Sequence, residues 1–303
     1  MSHPRNDFPL SLYQTKVEGL ETKFNLMDLE ERKEYFHAKV GAEITALQEY
    51  FTNNTFIAYW LGKKNSGKGT YSKLMMEIFG KKYSKTEILK KVGDVSQLGG
   101  IKSYEFSDGM AKNLRAVDIK SPNGIEMTVV LDRAMDISAL SYKNIPISWR
   151  SATREASAAY YESKGLEWLR TFFGGLMTTC GLTYFGPPAN DNGEELGLHG
   201  RITNLPAGNV FADGKWENDN YVMWVQGKIR EARPFGEKLE LSRKISTFMD
   251  KPVIIIEDTV ENIGFTDYPL MVLYHLNFGF PLLDSSTKIV LPKSVTMFPI
   301  AAK

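Results

Sequence analysis

The spacing of apolar residues changes once along the chain, between positions 80 and 92. Before that point the spacing is helical. Asp28 is followed three residues later by Glu31, as at a capped helix start, and apolar side chains then recur at helical intervals from Phe36 to Phe51. This pattern predicts a helix that begins near Asp28, within a helical segment that covers residues 1–88.

After that point the spacing is that of β-strands. In "GIEMTVVLD" every second residue from Ile125 to Val129 is apolar, and in "KLELSRKIS" Leu239, Leu241 and Ile245 share one face opposite polar residues. Clusters of Gly, Asn, Asp and Pro separate several runs of this kind. Many strands joined by turn residues, with few helices, predict a mainly β domain over residues 89–303, a sandwich or a barrel.

The composition excludes several functional classes. Of the 303 residues, 43% are hydrophobic and 24% are charged, the balance of a soluble globular protein with a core. The formal net charge of +1 gives no general attraction to nucleic acid or to an anionic membrane. Cys180 is the only cysteine, so we expect no disulfide, no metal site and a reducing, cytoplasmic setting. We also expect no export, because the first residues lack an apolar signal core and no apolar run could span a bilayer.

The stretch "GKKNSGKGT" at residues 62–70 is a candidate phosphate-binding loop. It follows the apolar run "TFIAYWL" and precedes the helix-like "YSKLMMEIFG", the strand–loop–helix order that arranges backbone N–H groups around a phosphate. Residues 56–80 resemble the P-loop of the adenylate-kinase branch of nucleoside monophosphate kinases. The predicted phosphate-binding residues are Gly62, Gly67, Lys68, Gly69 and Thr70.

A P-loop kinase needs more than this loop. It requires further parallel strands, an acidic strand end for Mg²⁺, and arginines that clamp the transferred phosphoryl group. The helical segment is too short to supply them. We therefore predict that the loop binds a nucleotide phosphate without transferring it. A kinase-like ATP-binding protein that acts through Lys68 stays open as an alternative.

The β-rich half carries a broader resemblance. "GLHGRITNLPA" and "LYHLNFGFPLLD", within residues 89–298, resemble the aldose 1-epimerase, or galactose mutarotase-like, superfamily. The resemblance implies a large antiparallel β-supersandwich, a sugar as substrate, and catalysis without a metal or an organic cofactor.

The residues of these two motifs suit sugar chemistry. Conversion of one anomer of an aldose into the other requires a proton delivered to the ring oxygen and a proton removed from the anomeric hydroxyl. Histidine has an unperturbed pKa of about 6.5 and can perform either transfer near neutral pH. His199 and His275 are the two of the four histidines that lie in the β-rich half. The resemblance implies that His275 is the general acid and that His199 orients the sugar.

Four further polar residues are candidate sugar contacts, because arginine forks, carboxylates and amides bind hydroxyl groups. Asp132 beside Arg133 is equally consistent with a structural ion pair. Several large aromatic side chains are expected mostly in the core, although an aromatic ring also stacks on a sugar face. The polar candidates are Arg133, Asp136, Arg201 and Asn277. The aromatic ones are Trp149, Trp168, Phe172, Phe173 and Tyr184.

The chain departs from the family pattern at the catalytic base. The family carries a glutamate in a Gly-Leu-Glu-Pro-like motif near its carboxyl terminus, and no such motif follows His275. The similar "GLEW" at residues 165–168 lies too early in the chain. We therefore expect a sandwich that is incomplete at its carboxyl end, as in a truncation or a fusion, with Asp284, Glu257 and Asp258 as substitute bases. A non-catalytic sugar-binding module is the alternative.

Overall fold

The computed structural model describes residues 24–25, 28–53 and 84–288. The chain divides into two compact units, Met1–Lys82 and Tyr83–Lys303. The predicted phosphate loop, with Gly62, Gly67, Lys68, Gly69 and Thr70, lies outside the described residues and stays a prediction.

The described part of the first unit is the helix α1 (Leu29–Asn53). The Asp28 carboxylate accepts hydrogen bonds from the backbone N–H groups of Glu30 and Glu31, both at 3.0 Å, which confirms the predicted helix start. At Val40 the backbone leaves the helical region (φ −143°, ψ 29°), so a kink interrupts α1. Among the described helices, none is long and apolar enough to cross a membrane.

The second unit begins with the helix α2 (Lys85–Leu89). The Ser84 hydroxyl accepts from the backbone N–H of Glu87 at 3.2 Å, and the Glu87 carboxylate accepts from that of Ser84 at 3.2 Å, which completes a capping box. Short 3₁₀ turns follow at Val95–Gln97, Gly109–Ala111, Ala158–Tyr160, Glu167–Thr171 and Ile202–Asn204.

The larger of the two main sheets has seven strands. Numbered along the chain, they are β1 (Gly100–Glu105), β2 (Arg115–Lys120), β3 (Ile125–Val130), β4 (Asp136–Tyr142), β5 (Ile145–Pro146), β8 (Met177–Leu182) and β15 (Met271–Leu276). Their order in the sheet is β1-β2-β3-β4-β8-β15, with β5 paired to β4, and all the pairs are antiparallel.

The smaller main sheet is an antiparallel meander of four long strands. Its members are β11 (Ala207–Glu217), β12 (Asn220–Ala232), β13 (Lys238–Phe248) and β14 (Ile254–Asn262). Two pairs of short strands complete the unit: β6 (Trp149–Arg150) with β7 (Gly174–Gly175), and β9 (Ala189–Asp191) with β10 (Glu194–Leu196). The antiparallel, mainly β fold is the one that the sequence predicts.

The hydrophobic core lies between the two main sheets. The inward residues predicted from alternation are buried there: Met127 on β3 is 2% exposed, and Leu241 and Ile245 on β13 are 1% and 0% exposed. Val129 and Val225 contribute from facing strands. Period-2 alternation therefore places one face of each sheet in a shared core.

A buried charge network crosses this core. The Arg243 guanidinium, from the smaller sheet, donates to Asp136 of the larger sheet at 3.0 Å and to both carboxylate oxygens of Asp258 at 2.9 and 2.7 Å. The Tyr274 hydroxyl of β15 also donates to Asp258, at 2.8 Å. Burial alone would lower the pKa of Arg243, but the two carboxylates outweigh it and raise that pKa. Arg243 therefore stays charged and joins the two sheets.

We expect Arg243→Ala to lower the free energy of unfolding by about 3–5 kcal/mol, because it leaves two buried carboxylates without their cation. Urea unfolding followed by circular dichroism measures this. Arg230→Ala is the control: its partner Glu240 lies on the same sheet, the Arg230 side chain is 63% exposed, and the expected cost is within about 1 kcal/mol. If both variants lost the same free energy of unfolding, the buried contacts of Arg243 would contribute no more to stability than the exposed Arg230–Glu240 pair.

Candidate functional site

His275 lies on β15, the described edge of the larger sheet, opposite Thr178 of β8. Its side chain is half-buried, and its Nδ1 atom is buried with no hydrogen-bond partner among the described residues. Burial lowers the pKa of His275, Asn277 opposes that shift, and the nearby His199 adds a smaller lowering. His275 is thus neutral more readily than a free histidine.

His199 lies in the loop between β10 and the turn at Ile202–Asn204, with a left-handed backbone (φ 59°). Its backbone N–H donates to Gly186 O at 3.0 Å, and its carbonyl accepts from Gly181 N at 3.1 Å. Its imidazole Nδ1 lies 2.8 Å from the carbonyl oxygen of Phe185. Because a carbonyl only accepts, Nδ1 carries the proton, and Nε2 of the neutral ring is left as an acceptor.

Gly200 makes this loop conformation accessible. Its φ of +72° lies in the left-handed region, and a Cβ atom there would meet the carbonyl oxygen of Tyr184 at 2.1 Å. A residue with a side chain would therefore have to displace the backbone on which His199 depends.

The two imidazoles lie edge to face within an aromatic cluster, with their planes inclined by 69°. Their ring centroids are 5.6 Å apart. Trp168 contacts His199 at 4.9 Å, Phe172 contacts His275 at 5.6 Å, and these two aromatic rings stack on each other at 4.7 Å. Trp149, 44% exposed, extends the cluster from Phe172 at 6.1 Å.

A second buried polar atom lies in this cluster without a partner in the described structure, the indole Nε1 of Trp168. Most buried polar groups are hydrogen-bonded, and a role in binding or catalysis is one explanation for an exception. Trp168 Nε1 and His275 Nδ1 are two such exceptions in one cluster. The arrangement offers imidazoles for proton transfer, and the exposed Trp149 offers a flat apolar ring for stacking, whereas Trp168 is only 2% exposed.

Residues 111–300 match the family described as "Domain of unknown function (DUF4432)". The chain belongs to this family.

Solved structures are similar to the DUF4432 chain at low identity. A crystal structure of a "putative aldose 1-epimerase" from Klebsiella pneumoniae subsp. pneumoniae is 21% identical, with a TM-score of 0.58 over 68% of this chain and 53% of its own. A galactose mutarotase-like protein from Clostridium acetobutylicum is 17% identical over 63% and 57% of the two chains, with a TM-score of 0.41. The DUF4432 chain thus spans about half the length of these structures, and the first likeness shows a shared fold. A search of curated proteins finds no significant match.

Two predicted sugar contacts of the DUF4432 protein lie in its interior. Arg133 is 1% exposed and donates to the carbonyl oxygens of Thr203 and Ala156, both at 2.7 Å. Asp136 is fully buried in the Arg243 network. Burial lowers the pKa of Arg133 to about 10 and raises that of Asp136. We therefore assign both a structural role.

The alternative pairing of Asp132 with Arg133 is wrong. Asp132 instead accepts from the guanidinium of Arg115, at 2.5 and 2.9 Å. Among the aromatic candidates, Phe173 lies in the core against the Arg133 guanidinium at 5.1 Å, as expected of a core residue. Tyr184 bonds to Pro187 O outside the aromatic cluster.

The other two predicted contacts lie close to the histidines along the chain. Arg201 follows Gly200 and is exposed. Asn277, half-buried, donates from its side-chain amide to His275 O at 3.1 Å and to Gly174 O at 3.3 Å. His199 and His275 lie together in one cluster, and the sugar contacts of Arg201 and Asn277 stay predictions.

The substitute bases have other partners. Asp258 belongs to the Arg243 network, and Asp284 accepts from the backbone N–H and hydroxyl of Ser286 in its own loop, both at 2.6 Å. Glu257 lies opposite Lys244 on the meander sheet. Among the described residues, no group of three or more His, Cys, Asp or Glu side chains could hold a metal ion.

Glu231 is a carboxylate near this loop that is 3% exposed, and it is not among the site residues predicted from the sequence. The signal was present in the alternation of β12: Met223, Val225 and Ile229 point inward, and Glu231 is the next residue in phase with them. A charge in phase with apolar residues marks a buried, partnered group.

We expect Gly200→Ala to lower the free energy of unfolding by about 2–4 kcal/mol, since it adds backbone strain and overpacking at one position. Gly193→Ala is the control: Gly193 also has a positive φ, +88°, but nothing lies within 4 Å of its Cβ position. That variant should cost about 1 kcal/mol. Thermal unfolding and chemical denaturation compare the two, and similar losses would mean that the Tyr184 carbonyl exerts no constraint.

Proposed function

We propose that this DUF4432 protein is a carbohydrate-active protein of the aldose 1-epimerase type, which interconverts sugar anomers by acid–base ring opening. The observation that carries the proposal is the pair of imidazoles 5.6 Å apart beside stacked Trp168 and Phe172. The fold shared with the Klebsiella protein is consistent with this function, and the sugar substrate follows from the resemblance of the two histidine motifs.

In this proposal His275 donates a proton to the ring oxygen as the bond between that oxygen and the anomeric carbon breaks. The proton on the anomeric hydroxyl leaves to a base, and the product is the open-chain aldehyde. Ring closure on the opposite face, with the two transfers reversed, gives the other anomer. His199 orients the sugar, because its Nε2 accepts a hydrogen bond from a hydroxyl while Phe185 O holds its Nδ1–H. The exposed ring of Trp149 packs on the apolar face of the sugar.

A non-catalytic sugar-binding protein is the second candidate. The observation that favours it is the engagement of the candidate bases: Asp258 is paired with Arg243, and Asp284 is bonded within its own loop. A protein with an acid and a binding surface but no base would bind an aldose without opening its ring.

We expect wild-type protein to accelerate the equilibration of aldose anomers, measured by polarimetry or NMR across several aldoses. His275→Gln should reduce the catalysed rate about 10²- to 10⁴-fold, the usual contribution of a general acid. His37→Gln, in helix α1, is the matched control and should leave the rate unchanged. A wild-type rate equal to the spontaneous one would reject catalysis, and calorimetric titration with the same sugars then tests the binding protein.

The acid role of His275 also predicts a pH dependence. A general acid must be protonated, and the pKa of His275 is lowered by burial, so activity should fall as the pH rises through a value below about 6.5. The same shift predicts an effect on stability. Below about pH 6.5 the unfolded chain binds a proton at His275 more readily than the folded chain does, so the free energy of unfolding decreases as the pH falls. Rate profiles and urea unfolding at several pH values measure both. A rate that does not rise with falling pH at any pH where the protein stays folded would exclude His275 as the acid.

A further inference from the structure

Glu231 is a buried carboxylate that joins the smaller sheet to the larger one near His199. Its two oxygens accept hydrogen bonds from the backbone N–H of Leu182 at 2.8 Å and from the Thr183 hydroxyl at 2.7 Å. Val225, on the same face of β12, is fully buried and apolar. An apolar side chain would occupy this position without the desolvation cost of a carboxylate. The presence of a carboxylate with two hydrogen bonds here therefore requires an explanation other than stability alone.

The two partners of Glu231 lie at the strand end that holds His199. Leu182 is the last residue of β8, and the preceding Gly181 donates its N–H to His199 O at 3.1 Å and forms a bridge with Gly200. The residue after Thr183 places its carbonyl against Gly200. Leu182 and Thr183 therefore lie between the two backbone contacts that fix the His199 loop.

The surroundings of Glu231 connect it to the same loop a second time. Burial raises the pKa of Glu231, and the hydrogen bonds from Thr183 and Leu182 oppose that shift. Glu237 and Arg201 have smaller effects on this pKa, which raise and lower it respectively. Burial raises the pKa of the nearby Tyr161, with smaller electrostatic effects of Arg201 and Glu231. The Tyr161 hydroxyl donates a hydrogen bond to Gly200 O at 3.3 Å. Tyr161 therefore adds a further hydrogen bond to the His199 loop, at Gly200.

We propose that Glu231 is a positioning residue for His199: by holding Leu182 and Thr183, it fixes the backbone that presents the imidazole. The role rests on the proposed function, because it concerns the histidine that orients the sugar. It requires no contact between Glu231 and the substrate.

The test uses pairs of variants in the full chain. Thr183→Val removes the hydroxyl donor at equal size, Thr183→Ser restores it, and Glu231→Gln removes the charge and one acceptor. The readout is the imidazole NMR signal of His199, which His199→Gln assigns in a chain with four histidines. Thr247→Val is the control, because Thr247 is also buried and donates its hydroxyl to a backbone carbonyl, Val253 O, at 2.8 Å.

Thr183→Val and Glu231→Gln should shift the His199 signals and lower kcat/KM for anomer conversion about tenfold, the effect of losing a hydrogen bond to a charged group. Thr183→Ser and Thr247→Val should keep the wild-type signals. Unmoved His199 signals in both test variants, with losses of stability like that of Thr247→Val, would overturn the proposal and leave Glu231 a purely structural group. The signals are read without sugar, so this result does not depend on whether the protein turns over an aldose.

Discussion

The fold depends on the ion pair that Arg243 makes across the core. A guanidinium enclosed between two β-sheets is stable only with partners that match its donors, and Asp136 and Asp258 supply them from opposite sheets. Apolar contacts would allow the sheets to slide over each other with little penalty, since dispersion and hydrophobic burial are not directional. The charged contact fixes one register of sheet against sheet.

That register determines where the histidines lie. Tyr274 contacts Asp258 on the inner face of β15, and the next residue, His275, points to the opposite face. The strand that presents His275 is thus held by the network that joins the sheets. Glu231 contacts the end of the adjoining strand β8, close to His199. Two buried acidic contacts therefore support the two imidazoles from inside the sandwich.

The sequence predicts the regular parts of this structure and misses the charges within it. The period of "KLELSRKIS" gives the inward face of β13 correctly, and Arg243 lies in phase with Leu241 and Ile245 on that face. Periodicity shows which side chains point inward, but the partner of an inward charge comes from another strand far along the chain. Arg133 illustrates the same limit, because its carbonyl partners belong to loops whose paths depend on the whole fold. The two histidine motifs were recognisable because each is a continuous stretch of sequence that resembles a known superfamily.

The loop that carries His199 is closed at its base. The His199 backbone N–H bonds to Gly186 O, and its imidazole bonds to Phe185 O, so the intervening hairpin of β9 and β10 begins and ends at one point. The entropy of closing such a loop grows only slowly with its length. Insertions or deletions can therefore change the length of this exposed hairpin while the imidazole of His199 keeps its place.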